Sequence, residues 1–119
     1  MKDDVQRVHD ERPWGSFDQF TQNQPSTVKV LRVSAGQRLS LQRHHMRAEF
    51  WHVLSGNGTA DIDGVAHELK PETEVYIGTG MTHRLSAGSD GIVVLEIAFG
   101  QFDENDIERL EDDYGRLAA

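Results

Sequence analysis

The sequence predicts an all-β domain, a sandwich or barrel of short antiparallel strands, with one short helix at the C-terminus. Three observations predict it. Stretches rich in β-branched and aromatic residues alternate with turn signals about every eight to twelve residues, as in such folds. The pairs Asn57-Gly58 and Asp63-Gly64 are hairpin signals. Near the C-terminus the period changes: Ile107, Leu110 and Tyr114 recur at helical spacing. Asn105 and Glu108 there fit a capping box and Gly115 a C-terminal stop, which predicts a helix over residues 103–115.

Taken in order, residues 1–11 are polar and charged and are expected to be loose. Arg12 to Gly15 reads as a turn with Trp14 as a core anchor. Phe17 and Phe20 continue a short strand, and residues 21–26 form a loop punctuated by Pro25. Residues 27–34, TVKVLRVS, form a strand. Lys29 shares its face with Leu31 and Val33, so it either meets an anion inside or snorkels at a rim. In the next strand Arg38, Ser40, Gln42 and His44 share one face, and Leu39 and Leu41 take the other. Met46 to Ala48 connect it to an antiparallel partner that opens at Glu49. Asn57-Gly58 turns the chain, and residues 59–63 and 65–69 pair across Asp63-Gly64. Residues 71–74 turn, 75–77 form a strand, 87–91 form a loop, and IVVLEIAF at 92–99 is a buried strand.

The chain of 119 residues is expected to be one domain over residues 1–119, large enough for a single core. Its formal charge of -8 argues against nucleic acid and anionic membranes as partners. An anionic substrate would have to be drawn in by a local basic cluster. Without cysteine, disulfides and thiolate metal sites are excluded. The N-terminus has no apolar signal segment and no apolar run is long enough to span a bilayer, so a cytoplasmic protein is expected.

The stretch Gly36 to Gly56, GQRLSLQRHHMRAEFWHVLSG, carries the chemistry. Pairing the strands on either side of residues 46–48 brings an amide, an imidazole and a carboxylate together at Gln42, His44 and Glu49. These are donors for a borderline divalent ion. GTGMTHRL at residues 78–85 offers His83 as a fourth. Of the six histidines, His9 and His67 read as surface residues, His45 as a neighbour of the site or a surface group, and His52 as facing away from Glu49.

Gly36, His44, Glu49, Gly56, Gly80 and His83 match the spacing of the two cupin motifs. Gln42 stands where the first motif normally has His; Gly78 and Ala87 replace Pro and Asn of the second. LQRHHMRAEFW resembles the cupin of type II phosphomannose isomerases, with Met46 and Phe50 where that family has histidines. RPWGSF at residues 12–17, VYIGTGMTHRL at 75–85 and DIERLEDDYGR at 106–116 extend the resemblance to nearly the whole chain. It implies a cupin double-stranded β-helix, or jelly-roll barrel, and a homodimer. It further implies a metal-dependent isomerase that interconverts mannose 6-phosphate and fructose 6-phosphate. Gln42, His44, Glu49 and His83 would hold one divalent ion, zinc first, with cobalt, manganese, nickel or iron suiting the same donors. Arg47 is the first choice to hold the sugar phosphate, followed by Arg38 and Lys29. The base stays open among a metal-bound water, His45 and His52. No guanylyltransferase activity is expected of these residues. A metal cupin with other chemistry, such as an oxygenase, and a non-catalytic sugar-phosphate-binding cupin are the alternatives.

Overall fold

The structure, a computed structural model, describes residues 7–117. The chain runs through β1 (Val8–Arg12), β2 (Gly15–Gln19), β3 (Ser26–Val33), β4 (Leu41–Arg43), β5 (Arg47–Ile62), β6 (Val65–Leu69), β7 (Glu74–Ile77), β8 (His83–Gly100) and β9 (Glu108–Glu111). Among the described residues there is no helix, so none that could cross a membrane.

Two long strands organise everything else. β5 pairs with β8 along almost its whole length. The first half of β5 also pairs with β7, and the second half of β8 with β3. The second half of β5 pairs with β6, and the first half of β8 reaches β4, which in turn pairs with β9. Each long strand therefore serves two sheets, joined where β5 shifts register between Val53 and Ser55 and again between Gly56 and Gly58. At the first shift β5 carries one extra residue and at the second β8 carries the extra residues, irregularities that bend a strand and re-aim its side chains. Gly56 is required at the bend: its φ is +85°, and a Cβ there would lie 2.2 Å from the carbonyl oxygen of Gly91.

The space between the sheets is filled by Trp51, Val53, Ala60, Ile62, Leu69, Ile77, Leu85, Ile92 and Val94. Burial of each large apolar side chain contributes roughly 1.5–3 kcal/mol. A second cluster, Phe50, Ile97 and Phe99 with Phe20 packed on it, lies on alternate positions of β5 and β8. The β1–β2 hairpin delivers Phe20 to it. Two apolar faces explain why 92–99 reads as an almost unbroken apolar run.

Six local expectations fail. The helix over 103–115 is replaced by a connection and β9. Glu108 to Glu111 pairs with the open edge of β4, fastened by Arg43–Glu108 at 2.9 Å and Arg84–Glu111 at 3.0 Å. A short isolated helix is marginal, whereas an unpaired strand edge is a strong template, so pairing wins. Asn57-Gly58 is not a hairpin turn and residues 87–91 are not a loop; both lie inside long strands at their bend. Gly58 is there because its backbone meets that of β8, with Ser86 O 2.2 Å from where a Cβ would sit. Residues 8–11 belong to β1 rather than to a loose terminus, while residues 1–6 lie outside the described part. Trp14 is no core anchor: at the tip of the β1–β2 hairpin it is 72% exposed and touches Phe17. Finally, β4 and β5 do not pair with each other; β8 lies between them.

Candidate metal centre

The metal-competent side chains therefore converge by a different route from a simple hairpin. His83 opens β8 and stands directly across from Gln42 of β4. His44 follows β4, and Glu49 lies two residues into β5. His44, Glu49 and His83 are 4%, 1% and 3% exposed, and one ligand-capable atom from each lies within 4.8 Å of the others.

Hydrogen bonds fix both imidazoles. His44 Nδ1 lies 2.6 Å from the carbonyl of Asp106, and His83 Nδ1 lies 3.0 Å from that of Met81. A carbonyl only accepts, so each Nδ1 carries the proton and each Nε2 presents a lone pair. These Nε2 atoms lie 3.4 Å and 3.6 Å from Glu49 Oε2 and Oε1 respectively. Burial, above all, pushes His83 down to about 4 and lowers His44 too, so both rings are kept neutral. Glu49 Oε2 accepts from Arg47 Nε at 3.1 Å, whereas Glu49 Oε1 is buried without a hydrogen-bond partner. An orphaned buried carboxylate oxygen facing an imidazole lone pair is costly unless a cation joins them. The residues present thus fit a divalent ion. Gln42 donates its amide nitrogen to Ser40 Oγ at 2.8 Å, which leaves the amide oxygen as the end free to accept or ligate.

The other candidates are distributed unevenly. Arg47, 7% exposed, bonds to Glu49 and to the carbonyl of Asp103 at 3.1 Å. Lys29 shares its face of β3 with Leu31 and Val33 and sits at the rim, its side chain 39% exposed and its ammonium 4.5 Å from the Phe102 ring. Arg38 is spent elsewhere: its guanidinium is exposed and paired with Asp113 at 2.7 Å. His45 is exposed, and His52 faces the outer cluster, bonded to Glu74 at 2.6 Å and packed on Phe20. Met46 points to solvent and Phe50 packs in the outer cluster, so neither departure from the family pattern touches the metal group.

Two residues of the site were missed from sequence. Glu96 of β8 is buried, aligned with Lys29 on one side and Trp51 on the other. It accepts from Trp51 Nε1 at 3.2 Å, and burial together with the charge of Glu49 raises its carboxyl to about 7. The available signal was its place as the single charge within IVVLEIAF. Asp106 was missed as well, because it was assigned to a helix. Its carboxylate accepts from the backbone N–H of His45 and Met46 at 2.9 and 2.8 Å.

A double-stranded β-helix with two histidines and a glutamate buried together defines a cupin with a candidate metal site. Structural comparison agrees. The capsular polysaccharide assembling protein CapF of Staphylococcus aureus superposes with a TM-score of 0.67 at 23% identity, over 88% of this chain and 32% of that one. A cupin protein of Bacteroides fragilis gives 0.59 at 25% identity, over 68% and 74%. Residues 2–112 match the mannose-6-phosphate isomerase C-terminal family, and the chain belongs to that family. It is 42% identical to the alginate biosynthesis protein AlgA of Pseudomonas aeruginosa, over 90% of this chain. It is 38% identical to a mannose-1-phosphate guanylyltransferase of Escherichia coli, over 93% of this chain. It spans only 23% and 24% of these relatives' own lengths.

Proposed function

We propose that the protein is a metal-dependent aldose–ketose isomerase interconverting mannose 6-phosphate and fructose 6-phosphate. The observation that carries this reading is the buried His44–Glu49–His83 group, with its unpartnered Glu49 Oε1, adjoined by the cations Arg47 and Lys29. Membership of a mannose-6-phosphate isomerase family supports the substrate class.

In this reading Gln42, His44, Glu49 and His83 hold one divalent ion, zinc first, with cobalt, manganese, nickel or iron suiting the same mixed donors. When bound, the ion supplies Lewis-acid polarisation of the sugar carbonyl. The chain's own residues do the rest. The carbonyls of Asp106 and Met81 hold His44 and His83 in the ligating tautomer. Arg47 holds Glu49 by one oxygen and, with Lys29, draws the phosphate into a protein whose overall charge would repel it.

The test is an isomerase assay on protein reconstituted with each metal in turn, coupled to fructose 6-phosphate formation. Turnover that requires metal supports the reading. Stoichiometric metal with tight sugar-phosphate binding and no turnover would instead make this a binding cupin.

A further inference from the structure

We propose that Phe102 is a positioning residue that holds Arg47 and Lys29 for the anionic end of the substrate, so that the connection between β8 and β9 forms one wall of the substrate site. The inference rests on the sugar-phosphate reading above. The ring of Phe102 lies 4.4 Å from Arg47 Cζ and 4.5 Å from Lys29 Nζ. Two cations held against one ring repel each other, and the ring's negative face offsets that repulsion. They come from different sheet positions, Lys29 from β3 and Arg47 from the start of β5, and the ring is the group that both touch.

The ring itself is anchored. The chain just after it is tied to Arg47 by the carbonyl of Asp103 and to His44 by the carbonyl of Asp106. The Asp106 carboxylate then fastens it to the backbone N–H groups of His45 and Met46. A connection tied at these points to the metal-ligand corner is a fixed platform. The acidic partner of Lys29 on it, Glu104, is 3.3 Å away and its side chain is 77% exposed. So weak and solvated a pair yields readily to a phosphate dianion.

The experiment compares wild type, Phe102→Leu and Phe102→Tyr as full-length, metal-reconstituted protein. Calorimetry measures binding of mannose 6-phosphate, inorganic phosphate and unphosphorylated mannose, with metal content measured alongside. Leucine keeps the apolar volume and removes the π face; tyrosine keeps both. Phe102→Met takes the place of Phe102→Leu if the latter does not fold. The expected result is about tenfold weaker binding of both phosphates in Phe102→Leu, on the scale of a desolvated cation–π contact. Phe102→Tyr should bind as wild type does, and mannose binding and metal content should be unchanged. In turnover, KM for mannose 6-phosphate should rise with kcat nearly constant. Equal phosphate binding by Phe102→Leu and wild type would overturn the inference, as would equal losses in Phe102→Leu and Phe102→Tyr. Wild-type protein that binds mannose 6-phosphate through Phe102 but forms no product retires the isomerase reading and leaves this inference standing. Wild-type protein that binds no phosphate overturns it.

Discussion

Glu49 is the residue on which the site turns. One oxygen is held by Arg47 and the other has no hydrogen-bond partner and lies 3.6 Å from His83 Nε2, so the side chain is half of an unfinished contact. Replacing His83 by Ala should bring metal content below one ion per chain while circular dichroism stays that of a folded β protein, since the core lies mostly elsewhere. Retention of stoichiometric metal by that variant would remove His83 from the ligand set. Glu96 gives a pH prediction for the metal-free protein. Folding raises its carboxyl from 4.5 to about 7, so in that window the folded state binds more protons than the unfolded chain. Its contribution to stability should therefore fall as pH rises through the window, while the lowered His44 and His83 act in the opposite direction below the ordinary histidine value of about 6.5. Above that value only the Glu96 effect remains, so the melting temperature of metal-free protein should drop between about pH 6.5 and about pH 8, and Glu96→Gln should flatten the dependence.

Among the elements, β5 and β8 decide the architecture, and their bends depend on glycine. Gly56→Ala combines a left-handed φ with a Cβ 2.2 Å from the Gly91 carbonyl oxygen. It should destabilise the fold by roughly 3 kcal/mol or more, read as a lowered denaturant midpoint. Gly64→Ala, at the Asp63-Gly64 turn, has an equally left-handed φ but open space around it, and should cost less. Asn57-Gly58 and Asp63-Gly64 look alike in the sequence, yet the second pair is a true hairpin turn between β5 and β6 and the first lies inside a strand. What separates them is contact with β8, which no local signal carries. The predicted C-terminal helix fails for the same reason. Its spacing is real, but the edge of β4 offers hydrogen bonds that an isolated helix cannot match.

At the scale of the whole molecule, β3 pairs with β8 along one edge only and exposes Val28 and Val30 at 57% and 40%. Open edges with apolar side chains need covering. The protein is expected to be a homodimer, and a monomeric mass by light scattering at micromolar concentration would count against it. The overall charge of -8 and the cations Lys29 and Arg47 beside Phe102 together predict that phosphate binding weakens as salt is raised.

The sequence by itself determined the all-β class, the cupin spacing and the identities of His44, Glu49 and His83, because alternation along a strand and ligand chemistry are local properties. It also put Lys29 on the same face as Leu31 and Val33, for that needs only the period of β3. Tertiary structure alone decided which strands are neighbours. It set His83 across from Gln42 through β8, sent Arg38 to Asp113 and His52 to the outer cluster, and buried Glu96 against Glu49. It left Trp14 exposed at a hairpin tip. Each of these depends on what a distant segment offers as a partner. The free energy of burial or pairing belongs to both segments, and neither one's sequence contains it.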